Sequence, residues 1–483
     1  MHNELGHPTT RLSVPFLLNY SATNTRHPGE VNNVLTALAT AESNEGRRDP
    51  GIPSLLLEVD RSDLFFEDSW SLFFGSYQDQ DRQETVTLPC GLENLDECQQ
   101  ATYRVLEALE SVNNNKQCGL NPAGAKEFFK KENIQQFIIA YFDGTVRPRS
   151  RIVLKSIFKI SSVSTPLLLA LLLMGAICGG PKDAKLIAME YTDLAELLVF
   201  EDPSYQRLVY QKRSSRCDFL EMKDIELIQA AILMILIQIS SPNAEHRRRV
   251  RIHRYNDLVS VARSTGLTQA KNRWHDPSTI LNHETFLQNE LTIRMMASIA
   301  MIDTHFIIFS NAPPVLSPFE LGFDLPAEDA GVDICDPLTW EDWASHERKC
   351  QRPPPLNQFM WELLSDNWTG IDDPRFQNLN IFTLFIIISK FHPIIFNTRS
   401  SLLQTPDQVS RIEKALSRWL DLWEYLYPRL TESEIFRAGF MTHATDLLSF
   451  AKILLTTPLT DPDDIAKDSM AHIHELLKQS SSE

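Results

Sequence analysis

Histidine, cysteine and aspartate clusters are where this 483-residue chain could do chemistry. His283-Glu284 and His472-x-His474-Glu475 come nearest to a metal site. Neither has the i, i+4 histidine pair that puts two imidazoles on one helical face. Cys335 and Cys350 flank a segment with two tryptophans but bring no base motif that would make either thiol a nucleophile. Asp461-x-Asp463-Asp464 is the one aspartate cluster that an all-helical metal-dependent enzyme could use. It stands at a predicted helix start, where acids stabilise the N-terminal dipole. There is no G-x-S-x-G elbow, Walker loop, G-x-G-x-x-G or H-E-x-x-H. The sequence therefore predicts no catalytic residue, no metal site and no enzyme.

Two charged stretches carry the remaining chemistry. His246-Arg247-Arg248-Arg249-Val250-Arg251-Ile252-His253-Arg254 is a basic run in a chain of net charge −17. On a regular helix Arg247, Arg251 and Arg254 share a face. The run reads either as a nuclear-import or acidic-partner patch, or as the solvated first turns of an amphipathic helix. Arg147-Pro148-Arg149-Ser150-Arg151 is a smaller, loop-like patch. Residues 1–118 hold 18 acidic and 8 basic side chains. Within them, over 54–75, carboxylates alternate with Leu64, Phe65, Phe66, Trp70, Phe73 and Phe74, the composition of amphipathic activation segments. The alternative is a surface helix docked on the main body with its acids solvated.

The elements that position these residues are helical. Only 17 glycines are present, about half the usual frequency of roughly 7%, and no stretch alternates apolar and polar residues with period two. Helices are predicted over 125–142, from Pro166 to the stop at Gly179-Gly180-Pro181, and over 182–200, 219–240, 246–265, 286–310, 374–391, 407–427, 431–457 and 463–478. The apolar runs Pro166–Cys178, Ala230–Ile239 and Ile381–Ile388 fall short of the roughly 20 residues that span a bilayer and read as core. Met1-His2-Asn3-Glu4 opens no signal peptide. The seven cysteines lack any C-x2-C spacing, so a soluble protein of a reducing compartment is expected. The fold class is all-α: a large multi-helix array (121–460) behind a partly disordered acidic segment (1–120), with a C-terminal helix and tail (461–483). Proline-rich turns at Pro313–Pro326 and Pro353-Pro354-Pro355 bound an excursion holding one short helix, Trp340–Glu347.

Tyr255-Asn-Asp-Leu-Val-Ser-Val-Ala-Arg-Ser-Thr-Gly-Leu267 resembles the fungal-specific transcription factor domain, the middle homology region of zinc-cluster and zinc-finger regulators. Arg263, Gly266 and Leu267 match its Arg-x-x-Gly-Leu block. Glu290, Arg294, Asp303, Pro313-Pro314 and Leu325-Pro326 follow in the family's order, and Trp340 and Trp343 stand where the zinc-finger subgroup has tryptophan. Val14-Pro15-Phe16-Leu17-Leu18-Asn19-Tyr20 resembles that subgroup's short block after the fingers, and Phe128-Phe129 suits the domain's opening. Two departures stand out. Leu291-Thr292-Ile293 precede a single arginine where the family has a run, and Asn311-Ala312-Pro313 replaces Gly-Arg-Pro.

The resemblance implies a nuclear regulator of RNA polymerase II transcription, an activator of metabolic or biosynthetic genes. Its partners would be the transcription machinery or co-regulators, with homo- or hetero-oligomers open and no membrane. With no finger in this chain, DNA is reached only through a module absent here, and zinc enters only with that module. The other reading is a regulator-derived interaction protein acting as a cofactor. Glu290 and Arg294 are spaced for a helical ion pair. Asp303, set among apolar residues, needs a buried partner, for which Arg263 is the candidate.

Overall fold

Short polar side chains mark where the chain turns into helix. Asn121, Asp202, Asn243, Asn282 and Asn380 each accept a backbone N–H of the first turn, and Thr405-Gln408 and Thr431-Glu434 form reciprocal capping boxes. The computed structural model describes residues 95–456 apart from 117, 144–151, 180–181, 213–219, 274–281, 329–330, 333, 335–336 and 402–404. Among the described residues the chain is all-α, with no strand.

The helices are α1 Leu95–Lys116, α2 Pro122–Phe128, α3 Lys131–Asp143, α4 Thr165–Gly179, α5 Lys182–Glu190, α6 Thr192–Phe200, α7 Pro203–Tyr210, α8 Met222–Ile239 and α9 Ala244–Arg249. After a π-helical turn, Val250–Arg254, come α10 Tyr255–Ser264, α11 His283–Ser310, α12 Pro337–Glu347, α13 Leu356–Leu364, α14 Pro374–Gln377, α15 Ile381–Arg399, α16 Pro406–Leu426, α17 Glu432–Ala438 and α18 Ala444–Thr456. α4 is buried on every side from Leu167 to Ile177 and packs on α3 and α8. α11 and α15 pack together as the second buried pair, with α18 and α16 against α15, and α8 links the two groups through α11. By length and apolar content α11 and α15 could each cross a membrane. Their most apolar windows are 100% and 78% buried inside the body, which makes them core helices.

Several predicted elements differ. α1 lies within the segment expected to be partly disordered, yet Cys98, Ala101, Val105 and Leu109 recur at three and four residues and are fully buried. The 125–142 helix breaks at Phe129-Lys130, the 182–200 helix at Tyr191, and the 431–457 helix at a 3-10 turn over Gly439–His443. The 374–391 helix is split at Asn378–Asn380, and its second part, α15, runs on to Arg399 with Pro393 inside it. Pro393 has no N–H for the Ser389 carbonyl four residues back. The Thr304 hydroxyl of α11 donates to that carbonyl instead, at 3.2 Å, so the interrupted ladder is completed from the neighbouring helix.

α3 and α4 cross at glycine. A Cβ on Gly175 would lie 2.0 Å from the Phe137 carbonyl oxygen, and one on Gly179 2.5 Å from the Ala140 Cβ. Gly175→Ala is expected to cost about 3 kcal/mol, the upper end for overpacking, because the atom in the way is backbone. Urea denaturation of the purified protein measures this, and an unchanged midpoint would show that the crossing is looser than described.

Candidate functional site: a clasped strap and a basic turn

Of the residues that carry the family-like order, Arg263 sits on α10 and Glu290, Arg294 and Asp303 on α11, and these four end on one target. That target is the irregular segment 311–327, a strap that leaves the end of α11, meets the end of α10 and runs back along α11 to Glu290. Arg263 donates to both carboxylate oxygens of Glu320, at 2.7 and 2.9 Å, and to the Val315 carbonyl at 2.9 Å. Asp303, 1% exposed, accepts the N–H of Val315 at 3.0 Å and of Leu316 at 3.4 Å. The two motif residues therefore hold opposite sides of one peptide unit rather than each other. The partner expected for Asp303 is corrected: Arg263 pairs with Glu320, which its own capping box with Ser317 brings under α10.

Glu290 and Arg294 grip the far end. Both side chains are fully buried and joined at 2.7 Å. Glu290 accepts the Ala327 N–H at 2.9 Å, and Arg294 donates to the Ala327 carbonyl at 2.8 Å. Between the grips, Asp324 donates its N–H to the Ala270 carbonyl and accepts from Lys271 and the Asn272 N–H. Gln269 donates to the Glu320 carbonyl. Within the strap Leu325 and Pro326 are buried, whereas Pro313 is exposed and Pro314 half-buried at its entry.

Two residues with positive φ make these grips reachable. Gly266 ends α10 at φ 77° and turns Leu267 into the core. Asn311 ends α11 at φ 41°, in the left-handed region that asparagine tolerates better than most residues. The aromatic pair Phe128 and Phe129 packs on Tyr191, with ring centroids 5.4 and 5.1 Å away. Trp340 and Trp343 close α12 over Phe286.

Beneath Asp303 lies a group of buried titratable side chains that sequence reading missed. Lys390 is 1% exposed and donates to the Ala300 carbonyl. Burial draws its ammonium down to about 8 against the pull of Asp303. Burial raises Asp303, opposed first by Lys390 and then by the strap N–H groups. Burial pushes the Tyr255 hydroxyl, which donates to the Ile299 carbonyl, well above its ordinary value, and the Asp303 carboxylate adds to this. Elsewhere on α11 and α15, burial holds His305 and His392 down to about 3. Lys390 follows Ile386–Ser389 in an apolar run, and a lone lysine there was the only signal available.

The basic run is arranged differently from a regular helix. The π turn bonds the Tyr255 N–H to the Val250 carbonyl, five residues back. It thereby brings Arg249 and Arg254, five apart, onto one side. Both reach Glu196, itself 2% exposed, at 2.6–2.9 Å, and Gln238 adds a third donor at 2.9 Å. Arg249 also pairs with Asp193, and Arg247 caps the Ser241 and Pro242 carbonyls. Arg248 and Arg251 face solvent. Leu64, Phe65, Phe66, Trp70, Phe73 and Phe74, the 14–20 block, the 147–151 patch, Asp461–Asp464 and the 463–478 helix lie outside the described residues.

No family model and no solved structure matches the sequence. Among known proteins the chain is similar to the transcription factor verF of Penicillium polonicum, 26% identical over 337 residues. That match covers 66% of this chain and 43% of verF, so the chain spans under half the length of its relative. It is thus similar, over most of its length, to a fungal transcription factor.

Proposed function

We propose that this chain is the helical regulatory part of a nuclear fungal transcription regulator, controlling RNA polymerase II transcription of metabolic or biosynthetic genes. It does so without enzymatic chemistry of its own. DNA and any zinc belong to a module outside this chain, and its partners are the transcription machinery or co-regulators. The observation that carries the reading is the similarity to verF. It is supported by the way the family-like residues of α10 and α11 converge on one strap. In this reading Arg263, Glu290, Arg294 and Asp303 are architectural and keep the regulatory body in one shape. Activation falls to the acidic aromatic segment 54–75. Entry to the nucleus through the basic turn would rest on Arg248 and Arg251, since Arg249 and Arg254 are held by Glu196.

A reporter assay tests this. The full chain fused to a foreign DNA-binding domain is expected to raise reporter expression. Phe65→Ala with Phe66→Ala is expected to cut that output about fivefold, as truncation of interface anchors does. Output equal to that of the DNA-binding domain alone would overturn the reading.

A further inference from the structure

The middle of the strap is its most exposed part. Leu316 is bound through its N–H by Asp303 and Glu320 is bound by Arg263, but the arc between them faces solvent. Ser317 is exposed, and Phe319, at 88%, is the most exposed large apolar side chain among the described residues. Ser317 has φ −74° and ψ 132°, the extended conformation that Pro318 favours in the residue before it. Four serine-proline or threonine-proline pairs fall among the described residues. Ser241 is buried, Thr165 is half-buried at the start of α4, and the Thr405 hydroxyl accepts the Gln408 N–H in capping α16. Ser317 alone is exposed and clear of any α-helix.

We propose that Ser317 is a phosphorylation site for a proline-directed protein kinase, and that the phosphate opens the clasp between Arg263 and Glu320. In the transfer the γ-phosphorus of ATP gains a bond to the Ser317 oxygen and loses its bond to the bridging oxygen. ADP leaves with that electron pair, and the serine proton passes to the kinase's catalytic carboxylate. Proline after the serine brings no N–H, so a substrate groove without an acceptor at that point admits it and penalises other residues.

The neighbouring clasp gives the modification its effect. One oxygen of Glu320 accepts both the Ser317 N–H, at 2.9 Å, and Nη2 of Arg263, at 2.7 Å. A phosphate on Ser317 adds a charge of about −1.5 to −2 to the residue that this carboxylate binds. The like charges repel, and the phosphate offers Arg263 three acceptor oxygens of its own. Glu320 is driven off both partners. The grips of Asp303 on one side, and of Glu290 with Arg294 on the other, stay closed, so the arc opens while the body stays folded. The site goes beyond the regulator reading and does not rest on it, since neither the phosphate nor the opening is read through transcription.

The purified full chain is incubated with a purified proline-directed kinase and ATP. Phosphate is then mapped by mass spectrometry, and chymotryptic cleavage after Phe319 is timed. Phosphate is expected on Ser317 and is expected to speed that cleavage about tenfold, as loss of a charge-assisted hydrogen bond does where cleavage follows the open population. Ser317→Ala, a surface change of small cost, is expected to keep the untreated rate with or without kinase. Glu320→Gln leaves no carboxylate to repel, so its phosphorylated and untreated forms are expected to be cleaved within about twofold of each other. Absence of phosphate from Ser317, or an unchanged cleavage rate in the phosphorylated chain, overturns the proposal. So does an acceleration that persists in Ser317→Ala or is equally large in Glu320→Gln.

Discussion

Arg294→Ala is expected to destabilise the body by about 3–5 kcal/mol, because it leaves a buried carboxylate without its cation. Both members of the Glu290–Arg294 pair are fully buried. Glu290 would keep only the Ala327 N–H on one oxygen, while its other oxygen already has no hydrogen-bond partner. The Ala327 carbonyl would lose its donor as well. In thermal unfolding this is a fall of roughly 4–7 °C for a body of this size. The control has the same spacing in the opposite environment: Arg411 and Asp407 pair i, i+4 at 3.0 Å on the exposed face of α16. Arg411→Ala is expected to cost no more than about 0.5 kcal/mol. Glu290→Leu with Arg294→Met together should cost less than Arg294→Ala alone, since no unpaired charge remains. Equal losses for Arg294→Ala and Arg411→Ala would refute the account of the clasp.

Asp303→Ala is expected to cost a similar amount, about 3–5 kcal/mol, with a pH dependence that identifies the cause. The Val315 and Leu316 N–H groups lose their acceptor, and Lys390 loses the carboxylate that opposes its desolvation. Lys390, already drawn down to about 8, then falls further. The unfolded lysine holds its proton to about 10.4. Between the folded and unfolded values the unfolded chain binds more protons, so the variant's stability rises with pH across that window. The deficit against wild type is expected to narrow as pH rises toward about 8, where wild-type Lys390 begins to lose its own proton, and to stay constant above it, since both chains then gain alike; it should also shrink at neutral pH when Lys390→Met is added. Asp303→Asn, which keeps an acceptor for Val315, should lose less. Glu434→Ala, at an exposed capping box, should lose no more than about 1 kcal/mol. A deficit independent of pH would mean that Lys390 is not the group responding.

Helix existence was legible wherever caps and periodicity agreed. Thr405-Pro406 with Gln408 announces α16, and the apolar run before Ser240-Ser241-Pro242 announces α8 and its end. Local rules failed where a distant residue supplied what the segment lacked. Pro393 reads as a helix stop because nothing nearby shows that Thr304 will take over its missing hydrogen bond. The π turn reads as plain helix because its reason, Glu196, lies more than fifty residues earlier. The clasp was half legible: Glu290–Arg294 follows from spacing alone, whereas Arg263–Glu320 spans 57 positions and needed the strap's path. For Asp303 the need for a partner was legible but not the answer, because the N–H groups that bind it carry no sequence signature and the cation that balances it, Lys390, comes from a distant helix.

The grips on the strap have a consequence for how such a chain can change. At Val315, Leu316, Asp324 and Ala327 what is held is main chain, an N–H or a carbonyl that every residue but proline supplies in full. The holding residues are individual and hard to replace; apart from Glu320 and Asp324, which are held by their carboxylates, the held ones are almost anonymous. Mutational tolerance should therefore divide sharply between them, with half-buried Val315 accepting most substitutions except proline, while Arg263, Glu290, Arg294 and Asp303 accept few. A lineage could rewrite much of the strap, and whatever surface it presents, without disturbing the helices beneath.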